Sequence, residues 1–357
     1  MLKGAIVGLG NVAVNGHLPG WEGCGQARVV AAADALEARL ARERWRLPGA
    51  RFYTDVPAML AAEALDFLDI CTPPGTHASL TRLALSRGLH VLCEKPLVLS
   101  PDELQSVRYA QVESGRVLYT VHNWLYAPII SQTTELIREG TIGRVRRINW
   151  QVRRCEPSIA VGPQGAGGNG TGGKETIPDN WRLDPAMAGG GILLDHGWHA
   201  LYIILRWLGH APKMISASLE KRAHPEWPVE DTATVRLNGP EATADIFLTW
   251  ASSARGNSAV IEGALGTIHV DDDTLRLTDD GGERRWTFDQ PLSRGSHHPD
   301  WFSRVRDDFL REISDETRQG TNLAEASLCA QLLHLAKESH ARGGEAIAVG
   351  DLPKADG

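Results

Sequence analysis

With 357 residues, 42% hydrophobic and 23% charged, the chain is too long for one ordinary core and too apolar for disorder; about two folded domains is the expectation. A formal charge of −7 speaks against nucleic acid or an acidic lipid surface as partner, since both select basic patches. Five scattered cysteines (Cys24, Cys71, Cys93, Cys155, Cys329) without Cys-x-x-Cys spacing argue for reduced thiols in the cytoplasm rather than disulfides or a zinc knot; neither a signal peptide nor an apolar run of roughly 20 residues is expected.

In chain order, Gly4–Gly8, Arg28–Ala33, Phe67–Cys71, His90–Cys93 and Val117–Val121 read as short apolar strands. Between them, Leu36–Arg46, Pro57–Ala64, His77–Arg87 and Pro101–Ser114 read as helices. This alternation predicts a parallel sheet covered on both faces over residues 1–122. Gly16, Pro19 and Gly20 are poor helix formers, so the first helix is expected to be short or irregular. Polar and special residues collect just after the strands: Gly8, Asp34, Thr72-Pro73-Pro74, Glu94-Lys95-Pro96 and His122-Asn123. In an open α/β sheet those carboxyl ends are where ligands bind.

From residue 123 the rhythm changes. A helix (Ile129–Glu139), a long strand (Val145–Cys155), a Gly-rich stretch (Gly162 to Gly173) that reads as a mobile loop, and the Asp195/His199 helix lead into strands with hairpin signals. These strands are Met214–Lys221, Ala233–Leu237, Thr243–Trp250, Ala259–Gly263, Thr267–Val270, Thr274–Thr278 and Arg285–Phe288. Helices Trp301–Ile313 and Leu323–Ala341 close the chain. Residues 123–357 are thus expected to form an α+β domain on a large, mostly antiparallel open sheet.

Gly8-Leu9-Gly10-Asn11-Val12-Ala13 ends the first strand. Gly8 permits a tight turn, Gly10 lets the backbone approach a pyrophosphate, and Ala13 allows close strand–helix packing. The N–H groups around Asn11 and Val12 then face phosphates. Asp34 ends the second strand, where a carboxylate accepts bonds from ribose hydroxyls and repels a 2′-phosphate, so NAD is favoured over NADP; its bland alternative is a helix cap. Asp195 and His199, four apart, share one face of an apolar helix. A carboxylate buried there costs several kcal/mol unless paired, and Gly189-Gly190-Gly191 is read as clearing room for a ligand. The competing reading makes Asp195 an internal cap and His199 a satisfied core histidine. Lys95 follows a strand at the sheet edge, with a solvated surface ion pair as its alternative. No metal is expected: His196/His199 and His297-His298 lack a clear third ligand. Cys71 and Cys93 read as packing.

The Gly-Leu-Gly fingerprint, Cys71-Thr72-Pro73-Pro74-Gly75-Thr76-His77, Glu94-Lys95-Pro96, Trp181-Arg182, Gly-Gly-Gly…Asp195…His199 and Ile261–Thr267 together resemble the glucose–fructose oxidoreductase / inositol 2-dehydrogenase family, nearly end to end. The resemblance implies that residues 1–122 are a Rossmann domain. It also implies an NAD(P)-dependent oxidoreductase acting on one carbinol of a sugar, amino sugar or cyclitol, a homodimer or homotetramer joined through the C-terminal sheet. By that resemblance His199 takes the hydroxyl proton, Lys95 donates to the same oxygen, and Asp195 holds substrate and tunes both. The cofactor set then comprises Gly8, Gly10, Asn11, Val12, Asp34, Thr72, Pro73, His77, Glu94, Lys95 and Asn123. The substrate set comprises Trp124, Trp181, Arg182, Asp195 and His199, with Trp198 nearby and an interdomain ion pair as the alternative for Arg182. Two departures make the substrate wall more aromatic and apolar: Asn123-Trp124-Leu125-Tyr126 lacks the family's arginine pair, and Ala200-Leu201-Tyr202 lacks a frequent aspartate. Rival readings are glycoside cleavage by transient oxidation with retained NAD, and a non-catalytic NAD-binding regulator.

Overall fold

A computed structural model describes residues 1–158, 180–294 and 297–352; the Gly-rich stretch from Gly162 to Gly173 lies outside them. The first sheet comprises β1 (Leu2–Val7), β2 (Ala27–Ala33), β3 (Arg51–Tyr53), β4 (Phe67–Ile70), β5 (His90–Cys93) and β6 (Leu118–Thr120). They are all parallel, in the order β3-β2-β1-β4-β5-β6. Every residue of β4 and most of β1 and β5 is buried, as the unbroken apolar runs require when helices cover both faces. Three-residue β3 escapes sequence reading because it is too short to show a period.

After β1 the chain makes one π-helical turn (Ala13–His17) and then α1 (Leu18–Trp21), so the expected irregularity is real. The π turn rotates His17 inward against Phe302, ring centroids 3.9 Å apart. Helices α2 (Glu37–Glu43), α3 (Val56–Ala62), α4 (His77–Ser86) and α5 (Pro101–Ser114) complete the crossovers. Ser100 caps α5 through Glu103 N–H, and Asp55 caps α3 through Ala58 N–H.

The second sheet has nine strands in the order β14-β13-β12-β11-β7-β10-β9-β8-β15. They are β7 (Val145–Arg153), β8 (Met214–Glu220), β9 (Thr232–Asn238), β10 (Thr243–Thr249), β11 (Gly256–Gly263), β12 (Gly266–Asp271), β13 (Thr274–Asp279), β14 (Gly282–Thr287) and β15 (Ile347–Ala348). Only β7–β10 pairs parallel among the described residues. After β6 the helices in chain order are α6 (Pro128–Arg138), the short α7 (Pro185–Ala188), α8 (Ile192–Leu208), α9 (Pro299–Ser314) and α10 (Thr321–Ala341). Helices α8 and α10 cover one face of the second sheet.

Helix α9 departs from the linear division at residue 122. Its Phe302, Val305, Phe309 and Leu310 share one apolar cluster with Trp21, Phe67, Leu92 and Tyr119, so it covers the first sheet. Asn322 of α10 likewise accepts the Thr120 N–H at 2.6 Å and donates to the Thr120 carbonyl at 3.0 Å. No helix among the described residues is long and apolar enough to cross a membrane.

Candidate active site

The carboxyl ends of β1, β2, β4 and β5 open into a cavity of about 950 Å³ that reaches to α8 and the β7 and β11 ends. Gly8 turns there with φ +87°, and a β-carbon on it would stand 2.9 Å from the Cys71 carbonyl and the Thr72 nitrogen; any side chain would push the strands apart. A β-carbon on Gly10 would meet nothing within 4 Å, leaving its backbone open to a ligand. Gly8, Gly10, Asn11, Val12, Asp34, Thr72, Pro73, Glu94 and Lys95 all line this cavity. Its size and shape fit a dinucleotide laid from the Asp34 end toward Lys95.

Asp34 lines the cavity and bonds to the backbone on two sides. One carboxylate oxygen accepts the Leu9 N–H at 2.8 Å, the other the Leu36 N–H at 2.8 Å. It thus pins the glycine loop to the start of α2, while each oxygen keeps a lone pair. Arg39, on α2, lines the cavity beside it at 3.6 Å. Sequence reading missed Arg39; a cation one helical turn past the acidic residue was the available signal.

At the other end, Lys95 Nζ donates to the Asp195 carbonyl at 2.8 Å and lies 3.5 Å from its Oδ1. Arg182 and His196 stand 3.7 and 3.6 Å from Oδ2. Burial alone would raise the Asp195 pKa, but Lys95, His196 and Arg182 hold it well below the ordinary carboxylate range. Asp195 is therefore a buried anion answered by cations, not an internal cap, and Lys95 is not a solvated surface group. His199 is 1% exposed and lies flat on Trp124, centroids 4.4 Å apart at 11°. Burial first, then Lys95, His196, His122 and Arg154, holds its pKa well below 6.5, so the ring is neutral at pH 7. Its Nδ1 is 2.7 Å from the Tyr202 hydroxyl, which also accepts the Trp124 N–H at 3.1 Å.

Behind Lys95 sits a second buried cluster that sequence reading missed. His17 places Nδ1 3.0 Å from Asp69 and Nε2 3.0 Å from Glu94, and Trp21 donates to Asp69 at 2.7 Å. Cys71 lies 3.1 Å from His17 Nδ1, so that thiol does more than pack. Burial opposes a charge on His17, yet Asp69 and Glu94 raise its pKa to about 9. A histidine whose folded pKa lies above its free value adds stability that is complete below pH about 6.5 and lost as pH climbs through about 9. Melting temperature should therefore fall between those limits in the native chain. In His17→Gln, which cannot be charged, the fall should be shallower by an amount equivalent to about 3 kcal/mol; parallel melting curves across that pH range would contradict a charged His17.

Some sequence assignments need correction. His77 and Asn123 are buried but do not line the cavity. The His77 ring nitrogens lie 2.8 and 2.7 Å from the Pro96 and Thr72 carbonyls; burial holds its pKa down, so the neutral ring donates its single N–H to one of these two carbonyls. Trp124, Trp181, Arg182, Asp195 and His199 do line it, but Trp198 is fully buried in the core, because α8 turns that position inward. Trp250 and Arg154, at strand ends, take part unforeseen. The triple glycine also has another cause. A β-carbon on Gly191 would strike the Glu230 carbonyl oxygen at 1.9 Å, and Glu230 accepts the Gly191 and Leu193 N–H groups at 2.9 and 3.0 Å. The glycine there serves close packing at the α8 N-terminus.

Residues 2–122 match a family model described as "Oxidoreductase family, NAD-binding Rossmann fold", and residues 130–269 match the "GFO/IDH/MocA C-terminal domain". The chain is similar to D-apiose dehydrogenase of Paraburkholderia graminis, 36% identical over 141 residues, covering 40% of this chain and 37% of that protein. It is also similar to D-xylose 1-dehydrogenase (NADP(+)) 2 of Haloferax volcanii, 29% identical over 220 residues, covering 61% of this chain and 60% of that protein. The chain thus matches between about a third and three-fifths of these relatives' lengths. A levoglucosan dehydrogenase solved in complex with NADH and levoglucosan shares the fold, with a TM-score of 0.81 at 19% identity over 98% of this chain and 99% of that one.

Proposed function

Because the chain belongs to the GFO/IDH/MocA oxidoreductase family, we propose that it is an NAD-dependent dehydrogenase acting on a secondary hydroxyl of a sugar, amino sugar or cyclitol. One observation carries this reading: Lys95, Asp195 and His199 line the same cavity as Gly8, Gly10 and Asp34. Bound NAD would supply the hydride acceptor, held by the Gly8–Val12 turn, Asp34 and the Thr72-Pro73 edge. The residues of the chain do the rest. An aliphatic hydroxyl is too weak an acid to ionise unaided, so His199 takes its proton at Nε2, which requires Nδ1–H to donate to the Tyr202 oxygen. Burial holds the Tyr202 phenol well above its ordinary pKa, keeping it neutral in that role. Lys95 donates to the same substrate oxygen and its charge favours the developing alkoxide. Trp124 fixes the imidazole plane, and Asp195 fixes Lys95. Residues 1–122 form the cofactor domain in this reading and residues 123–357 the substrate domain, with α9 returned to the first.

The test is an NADH-absorbance screen over polyols, aldoses, uronates and amino sugars. Net NADH formation supports the reading. Glycoside cleavage without net NADH would favour the oxidation–elimination alternative, and NAD binding with no turnover on any compound would favour a regulator.

Cofactor preference rests on Asp34. Asp34→Ala removes the anion that opposes a 2′-phosphate and frees Arg39 to pair with one. It should weaken NAD about tenfold and narrow or reverse its advantage over NADP, read from fluorescence titrations of both. An unchanged ratio would reduce Asp34 to its capping role. The open face of the second sheet, with half-buried Phe247 and Val260 among polar strand residues, is proposed as the contact of a homodimer or homotetramer, measured by light scattering. The unpaired cysteines fit a cytoplasmic setting.

A further inference from the structure

Among the described residues, the substrate end of the cavity carries more positive charge than its walls neutralise. Arg154, just past β7, is only 2% exposed, yet it has no carboxylate partner among the described residues. Its Nη1 donates to the Arg153 and Gly256 carbonyls at 2.7 and 3.1 Å, and Nη2 to the Asn257 amide oxygen at 3.1 Å. Its Nε–H is buried without a hydrogen-bond acceptor among the described residues, as is that of Arg182, whose Nε lies 3.7 Å from Asp195. Arg255 and Arg294 stand exposed at the rim, and Arg255 Nε donates to the neutral Ser293 carbonyl, at 2.6 Å.

Against these guanidinium groups and Lys95, two carboxylates line this region among the described residues, and both are engaged. Glu94 answers His17, and Asp195 is shared by Lys95, Arg182 and His196. Asp272, which also reaches Arg154 electrostatically, accepts the N–H and hydroxyl of Ser293 instead. A buried cation without a counter-charge is destabilising. Burial and the neighbouring Arg255 accordingly depress the Arg154 pKa to about 10.

We propose that the substrate is an anionic sugar whose carboxylate or phosphate pairs with Arg154, flanked by Arg182 and Arg255. This rests on the reading of the cavity as a carbinol-oxidising site. The cofactor diphosphate is a poorer match for this charge. It belongs at the Gly8–Val12 turn, whereas Arg154 is within electrostatic reach of Asp195, His196 and His199. A guanidinium fork suits either planar or tetrahedral anions.

The experiment is calorimetric titration of the NADH-loaded full chain with matched pairs. D-glucuronate and D-glucose 6-phosphate are compared with D-glucose, and D-galacturonate with D-galactose. At least one anionic member should bind about 10- to 100-fold more tightly than its neutral parent, and the advantage should shrink with added salt. Which anion wins separates a sugar acid from a sugar phosphate. In Arg154→Gln the advantage should largely vanish while NADH affinity is kept, and Arg154→Lys should restore part of it. Neutral parents binding as well as every anionic partner, or no anionic sugar binding at all, would overturn the proposal. So would an Arg154→Gln chain that loses NADH affinity but keeps its preference among sugars. An anionic sugar that binds through Arg154 yet never yields NADH would leave the anion site standing and remove the dehydrogenase reading, so the two failures are distinguishable.

Discussion

Replacing Lys95 by alanine is expected to lower kcat by about 10³-fold or more while leaving NAD affinity largely intact. The ammonium is the donor closest to Asp195 in the cavity, 2.8 Å from its carbonyl. Asp195 would keep Arg182 and His196 as partners, so the α8 N-terminus should hold. What disappears is the charge facing the substrate oxygen. A second consequence is specific to this arrangement. After burial, Lys95 is the largest influence depressing the His199 pKa. In Lys95→Ala that pKa should rise, moving the acid limb of the residual pH–rate profile upward. Lys95→Arg should not restore the rate, since a planar fork cannot stand in for a compact ammonium held between a carbonyl and a carboxylate. Loss of NAD binding together with turnover, or turnover near the native level, would contradict the assigned role.

His199→Asn should cost about 10²–10⁴-fold in kcat. The native profile carries its own signature. A base must be unprotonated to act, and the His199 pKa is held well below 6.5. Activity should therefore persist as pH falls below 6.5, further than an ordinary histidine would allow. The asparagine variant should lose that acid limb altogether. Near-native rates, or an unchanged limb, would remove His199 as the base and return it to the core. Because Tyr202 is the Nδ1 partner, a neutral phenol stands where a carboxylate would raise the base's pKa, and the depression that burial and Lys95 impose is left unopposed there.

Much of the fold was legible because its signals are local. Strands β1, β4 and β5 are unbroken apolar runs, and the hairpin strands β12 to β14 are separated by Asp and Gly turns. The helix of Asp195 and His199 shows its period directly. The proposed catalytic trio was legible for a related reason: each residue sits at a place where an apolar element breaks its own pattern. His17 broke no such pattern, since a histidine beside Gly16 and Pro19 reads as loop chemistry until the π turn aims it at Asp69 and Glu94. Arg154 carries no local signal of its own, since it follows a strand whose Arg146 and Arg147 are exposed. The Gly189–Gly191 run was assigned to ligand space; Gly190 and Gly191 line the cavity, and Gly191 is also required by the Glu230 backbone beside it.

The sequence by itself determined the two sheets, the glycine turn under the cavity, and a lysine, aspartate and histidine able to share one site. Only the tertiary structure decided which charges are answered and which are not. Burial and pairing depend on elements far apart in the chain: α9 closing over the first sheet beside His17, Trp124 lying against His199 and Tyr202 of α8, and Arg154 enclosed by Gly256 and Asn257. Periodicity records which face of an element is apolar, but not which other element will lie against it, and the electrostatics of the cavity are set by that second fact.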